Sequence, residues 1–136
     1  MTKYRLVLTV LCGLALLSLA FLVPRLGRLS PSDARALEQQ EADLRNALPE
    51  GLDIEHARAV LRSTQVQFYE SKPETGVVLS RQGTEMTAVS GDQLIFARFH
   101  TGVSDLVCSY DMEIDLLFDA AGHSKQRYIN RLRLCP

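Results

Sequence analysis

Apolar residues recur at two spacings along this chain, and the change falls near residue 64. Ahead of that point Ala34, Leu37, Leu44 and Leu48 share one face of a 3.6-residue period. That spacing predicts an amphipathic helix capped by Ser32 and ended by Pro49 and Gly51. Position 41 on the same face is Glu, so the stripe is thin. A second helix follows, with Asp53 as N-cap and Ile54, Ala57, Val60 and Leu61 as its buried stripe. Beyond residue 64 the period drops to two. QVQFYE, GVVLS, TEMTAV, QLIFARFH, DLVCSYDMEIDLLF and KQRYINRLRL read as strands, divided by the turn-forming KPETG, RQG, SGD and TGVS. Helices first and a meander afterwards predict an α+β domain, with two helices packed on one face of an antiparallel sheet of about four to six strands.

The last two strands carry an alternation of their own. Asp111, Glu113, Asp115 and Asp119 share one phase of the first strand, against Tyr110, Met112, Ile114, Leu116 and Phe118 on the other. In the second, Lys125, Arg127, Arg131 and Arg133 oppose Tyr128, Leu132 and Leu134. Residues 119–122, DAAG, suit a type I turn with Gly122 left-handed, which makes the pair a hairpin. Pairing in which residue numbers sum to 242 sets Asp115 opposite Arg127 and Asp111 opposite Arg131, with Glu113 and Arg133 in the same rows. The expectation is an exposed charge ladder, each pair contributing ~0.2–1 kcal/mol and the set fixing the register.

The N-terminus has no such alternation. Residues 6–23 are 18 uncharged positions interrupted only by Thr9, Gly13 and Ser18. As a helix they reach about 27 Å, enough for a hydrocarbon core. Lys3 and Arg5 precede the run and Pro24 with Arg25 closes it, the form of an export signal with a stop. Ser18-Leu19-Ala20 offers a small-x-small cleavage site, but the apolar run continues past it, which favours an uncleaved anchor. Cys12 lacks the small preceding residue of a lipoprotein box. The expected division is an anchor over residues 1–24, a linker over 25–31 and an exported domain over 32–136.

All 16 acids lie from Asp33 onward, against 11 Lys and Arg, a net charge of −5 for that part. That sign opposes nucleic acid as a partner, which calls for a basic face. Cys108 and Cys135 flank the closing hairpin without metal-ligand spacing, and one disulfide between them is expected. Such a bridge implies a domain outside the cytoplasm, in the periplasm on a single-pass inner-membrane anchor. The two numbers sum to 243, one residue out of step with the charge ladder. Bridge and ladder together therefore require a bulge, expected near Ser109–Tyr110 or within residues 132–134.

Candidate chemistry is sparse. The acid row superficially matches an EF-hand loop, but Leu116 stands where that loop needs Gly and Gly122 where it needs Glu. His56, His100 and His123 fall on a helix, at a strand end and in a turn, with no ligand spacing between them. A Cys108–His100 nucleophile pair competes with the disulfide for the same thiol. The Tyr and Phe residues, at alternating strand positions, read as core. No catalytic residue, metal site or cofactor site is predicted.

One stretch resembles a family. LPEGLDIEHARAVLRS, followed by strands and an F-D-x-x-G turn, is similar to the small OmlA-like (SmpA/OmlA) domain of outer-membrane assembly lipoproteins. Gly51, Asp53, Val60 and Leu61 match its opening glycine and capped helix; Phe118, Asp119 and Gly122 match its closing turn. Residues 62–64, RST, depart from the family's Leu-Gly-x-Pro. The resemblance implies a non-enzymatic assembly accessory that binds a protein partner through its sheet surface and loops. An envelope immunity or inhibitor protein is the alternative reading and an enzyme the third.

Overall fold

A computed structural model describes residues 28–79 and 85–136. The anchor expected over residues 6–23 lies outside the described residues, as does Cys12. Among the described residues no helix is long and apolar enough to cross a membrane.

Helix α1, Pro31–Ala47, starts two residues ahead of the expected boundary, because its cap is Ser30 rather than Ser32. Ser30 Oγ accepts the Asp33 N–H at 3.1 Å, and Pro31 sits at the helix start, where a missing N–H forfeits no intrahelical bond. Leu37 and Leu44 are buried, and Leu48 closes the helix in the core. Helix α2, Ile54–Ser63, is capped as expected, Asp53 Oδ1 accepting from the His56 N–H at 3.0 Å. Ile54, Ala57 and Leu61 form its buried stripe, with Val60 at the margin.

Among the described residues six strands follow: β1 Gln67–Ser71, β2 Gly76–Leu79, β3 Glu85–Ala88, β4 Gln93–Ser104, β5 Ser109–Phe118 and β6 Ser124–Leu134. Four form one antiparallel sheet in the order β1-β4-β5-β6, and β2 and β3 make a separate antiparallel hairpin. Both helices pack on one face, over Ile95, Ala97, Met112, Ile114, Leu116 and Phe118. Among the described residues the opposite face is covered at one end, where Met86 and Ala88 of the small hairpin meet Leu94 and Leu117. The TGVS segment is not a turn. It extends β4 to Ser104 through a register shift between His100 and Val103, with Gly102 left-handed at φ +71°.

The register of β5 with β6 departs from the charge ladder. Ser109↔Leu134 through Leu117↔Gln126 all sum to 243, so Asp111 faces Leu132, Glu113 faces Asn130 and Asp115 faces Tyr128. Cys108 and Cys135 are the next pair in that register, and they are disulfide-bonded with Cα atoms 4.3 Å apart. The expected bulge exists but lies at the turn end, between Leu117 and Phe118, not beside the disulfide. Arg127, Arg131 and Arg133 thereby fall on the helix side of the sheet. For the first two, α1 supplies the acceptors. Arg131 Nε donates to Glu41 Oε2 at 2.6 Å, filling the gap in the α1 stripe. Arg127 donates to Leu48 O and, at 3.1 Å, to Arg45 O, carbonyls that a helix C-terminus leaves unpaired. The turn itself matches expectation: Gly122 is left-handed at φ +86°, and Asp119 Oδ1 accepts from the Ala121 and His123 N–H groups.

Between β4 and β5 the chain reverses around Asp105. Its Oδ1 accepts the Cys108 N–H at 2.7 Å and the Val107 N–H at 2.8 Å; its Oδ2 accepts from Tyr110 Oη at 2.9 Å and Arg133 Nη2 at 3.0 Å. The two backbone donors, then Tyr110 and Arg133, hold the carboxyl at about 2, below its ordinary 3.8. A depressed carboxyl stabilises the fold fully above about pH 4, and that contribution disappears as the pH falls through the folded value. Val107 and Cys108 amide protection should hold from neutral pH down to about pH 4 and vanish near pH 2. Hydrogen exchange with a carboxyl NMR titration checks this, and loss of protection by pH 4 would refute it.

Candidate functional site

The open half of the sheet's second face is a groove of about 830 Å³. Alternation builds it: Ile95 and Ala97 turn toward the helices, so Phe96, Arg98 and His100 turn away. Met112 and Ile114 likewise send Asp111, Glu113 and Asp115 to the groove side. Across β4 and β5, Arg98 faces Glu113 and His100 faces Asp111; from the edge strand, Gln67 lies opposite Arg98 and Tyr69 opposite Phe96. Gln67, Tyr69, Phe96, Arg98, His100 and Glu113 all line the groove. Tyr69 is 71% exposed, against the expectation that the aromatics are core.

The expected hairpin pairs are thus absent, and the acids have other environments. Asp111 is buried and its Oδ2 lies 3.0 Å from Nδ1 of the exposed His100. Glu113 is 4% exposed, and its Oε2 is buried without a hydrogen-bond partner among the described residues. Asp115 is fully buried between Phe96 and Tyr128, which border the small hairpin. A buried carboxylate oxygen without a donor is costly, and a ligand donor at this position would relieve that cost. Arg98, directly across from Glu113, supplies the opposite charge in the same groove.

Asp111 orients the His100 imidazole, but the thiol of a Cys108–His100 pair is not available, because Cys108 is bridged to Cys135. The Thr64 hydroxyl at the groove margin donates to Val60 O at 3.0 Å. Among the described residues no group of three or more His, Cys, Asp or Glu could hold a metal ion. Side chains at alternate positions of one strand stand about 6–7 Å apart and do not converge. His56 and His123 lie far along the chain from His100, on α2 and in the β5–β6 turn.

A smaller depression of about 390 Å³ lies beside Lys125, Arg127 and Glu50. Both of its cations are engaged. Lys125 Nζ donates to the buried Asp92 Oδ2 at 2.6 Å, and Arg127 caps α1. Burial alone would raise the Asp92 carboxyl; Lys125 and the Val89 N–H outweigh it and lower it. Arg98 and Glu113 therefore make the larger groove the better candidate, since among the described residues neither is held in an ion pair.

Of the groove residues, only the acids are marked in the sequence by their alternation. Gln67, Tyr69 and Arg98 belong to strands whose order in the sheet has no local signal. The chain matches no family model, no curated protein and no solved structure.

Proposed function

We propose that this chain is a non-enzymatic, membrane-anchored protein of the cell envelope whose folded domain binds a protein partner along the groove, as an assembly accessory. One observation carries the reading: Glu113, buried and without a donor on Oε2 among the described residues, faces Arg98 in an open groove walled by the exposed Tyr69. A polypeptide segment offers N–H donors and C=O acceptors a few ångströms apart and can answer both charges at once. The groove is large enough for several residues and open enough to admit them without unfolding. The Cys108–Cys135 bridge supports an oxidising, extracytoplasmic compartment. The apolar run at residues 6–23 supports the anchor, and the OmlA-like resemblance supports an assembly role.

A photo-reactive phenylalanine at position 69, in the full chain within its own membrane, tests the site. The expected product is a discrete protein adduct whose yield falls at least tenfold with Glu113→Gln or Arg98→Gln, neither of which should disturb the fold. No adduct, or one indifferent to both substitutions, counts against the groove as the binding site.

A further inference from the structure

We infer that the β4–β5 turn inserts Leu106 and Val107 into the boundary between headgroups and hydrocarbon of the membrane that carries the anchor. The inference rests on residues 6–23 being that anchor. Leu106 is 80% exposed and Val107 50% exposed, adjacent large apolar side chains at the tip of the β4–β5 hairpin. Hydrophobic residues at a turn tip gain nothing for the fold, and polar ones are the usual occupants.

The tip is also held rigid. The Asp105 carboxylate accepts from the Val107 and Cys108 N–H groups, and the Asp105 N–H donates to Cys108 O at 2.9 Å. Cys108 is tied to Cys135, and the Arg133 guanidinium lies 5.8 Å from the Tyr110 ring centre while donating to Asp105. A tip already ordered loses little entropy on insertion.

Its position in the fold identifies the occupant. Arg127 meets α1 at Leu48, its C-terminal end, and Arg131 meets it at Glu41, so β6 runs toward the α1 N-terminus. Gln40 Nε2 donates to Thr101 O at 3.1 Å, which directs the end of β4 the same way. The β4–β5 turn and Pro31 therefore share one end of the domain. From Pro24 to Pro31 the chain can span at most about 25 Å when fully extended. That short tether keeps this end, and not the opposite one, beside the bilayer. At the resulting effective concentration two apolar side chains suffice, where a free domain would need a larger patch.

The chain has no tryptophan, so Leu106→Trp makes a unique fluorescent probe. Val89→Trp, at a site 47% exposed in the turn before β4, places the same probe at the far end. Both full-length variants are reconstituted in phosphatidylcholine vesicles containing brominated phosphatidylcholine and floated on a density gradient. The expected result is flotation of both, with the Leu106→Trp emission blue-shifted and quenched at least twofold and the Val89→Trp emission unchanged. Val107→Trp should behave like Leu106→Trp and guards against a local fault in one variant. Flotation of all three without selective quenching at positions 106 and 107 overturns the insertion while leaving the anchor intact. Failure to float overturns the anchor, and the insertion with it.

Discussion

Replacing Cys108 and Cys135 together with serine is expected to lower the unfolding free energy by about 3–4 kcal/mol. The bridge closes a loop of sequence separation 27, which contains the whole β5–β6 hairpin. In the reduced chain that loop regains its freedom, and the gain grows only slowly with length. The loss should appear as a lower urea midpoint with a nearly unchanged slope, followed by circular dichroism of the full chain in detergent micelles. A midpoint the same with and without reductant would contradict the role given to the bridge. The substitution has a second readout. The disulfide joins the pair that continues the 243 register, so its removal should weaken protection most in the Ser109 and Leu134 amides and least near Leu117.

The second large effect concerns an arginine on the apolar side of the sheet. Arg127→Met keeps a long side chain against Leu116 but removes the donors to Leu48 O and Arg45 O. Carbonyls left without partners at a part-buried helix end should cost about 1–3 kcal/mol. Glu113→Gln, on the opposite face of the sheet, should be neutral or slightly stabilising. It removes a buried charge that has no donor on Oε2 among the described residues. The contrast is diagnostic, because a hairpin held by acid–base pairs would lose comparable amounts from either substitution. Denaturant titration of the two single variants measures it.

Local signals in the sequence identify both helices, the disulfide, the closing turn and the sheet with helices on one face. Asp53 caps α2 because its carboxylate reaches the His56 N–H, an interaction three residues long and therefore visible locally. The register is misleading for the opposite reason. Acids and bases at alternate positions of neighbouring strands look like mutual partners, yet the partners of Arg127 and Arg131 lie on α1, 79 and 90 residues away. The cysteine pair requires an odd register, and the bulge that reconciles it with the turn is opposite Phe118, at the turn end. TGVS has turn composition, but Thr101 and Gly102 use it to make a bulge within β4. The groove is only half legible: its acids alternate visibly, whereas Tyr69 and Arg98 join them through a sheet order that connects β1 to β4 across the intervening hairpin.

The one-residue offset in the β5–β6 register divides the hairpin's polar residues between two kinds of evolutionary constraint. Arg127 and Arg131 are tied to α1, so they can change only with the helix end they serve. Arg98 and Glu113, on the other face, make no comparable contribution to folding and are free to follow whatever occupies the groove. Descendants of this chain that have exchanged partners should keep the helix-side arginines together with Glu41 and Leu48. Their differences should gather at positions 67, 69, 98 and 113, so that substitution along the groove becomes a record of partner change written on an unaltered fold.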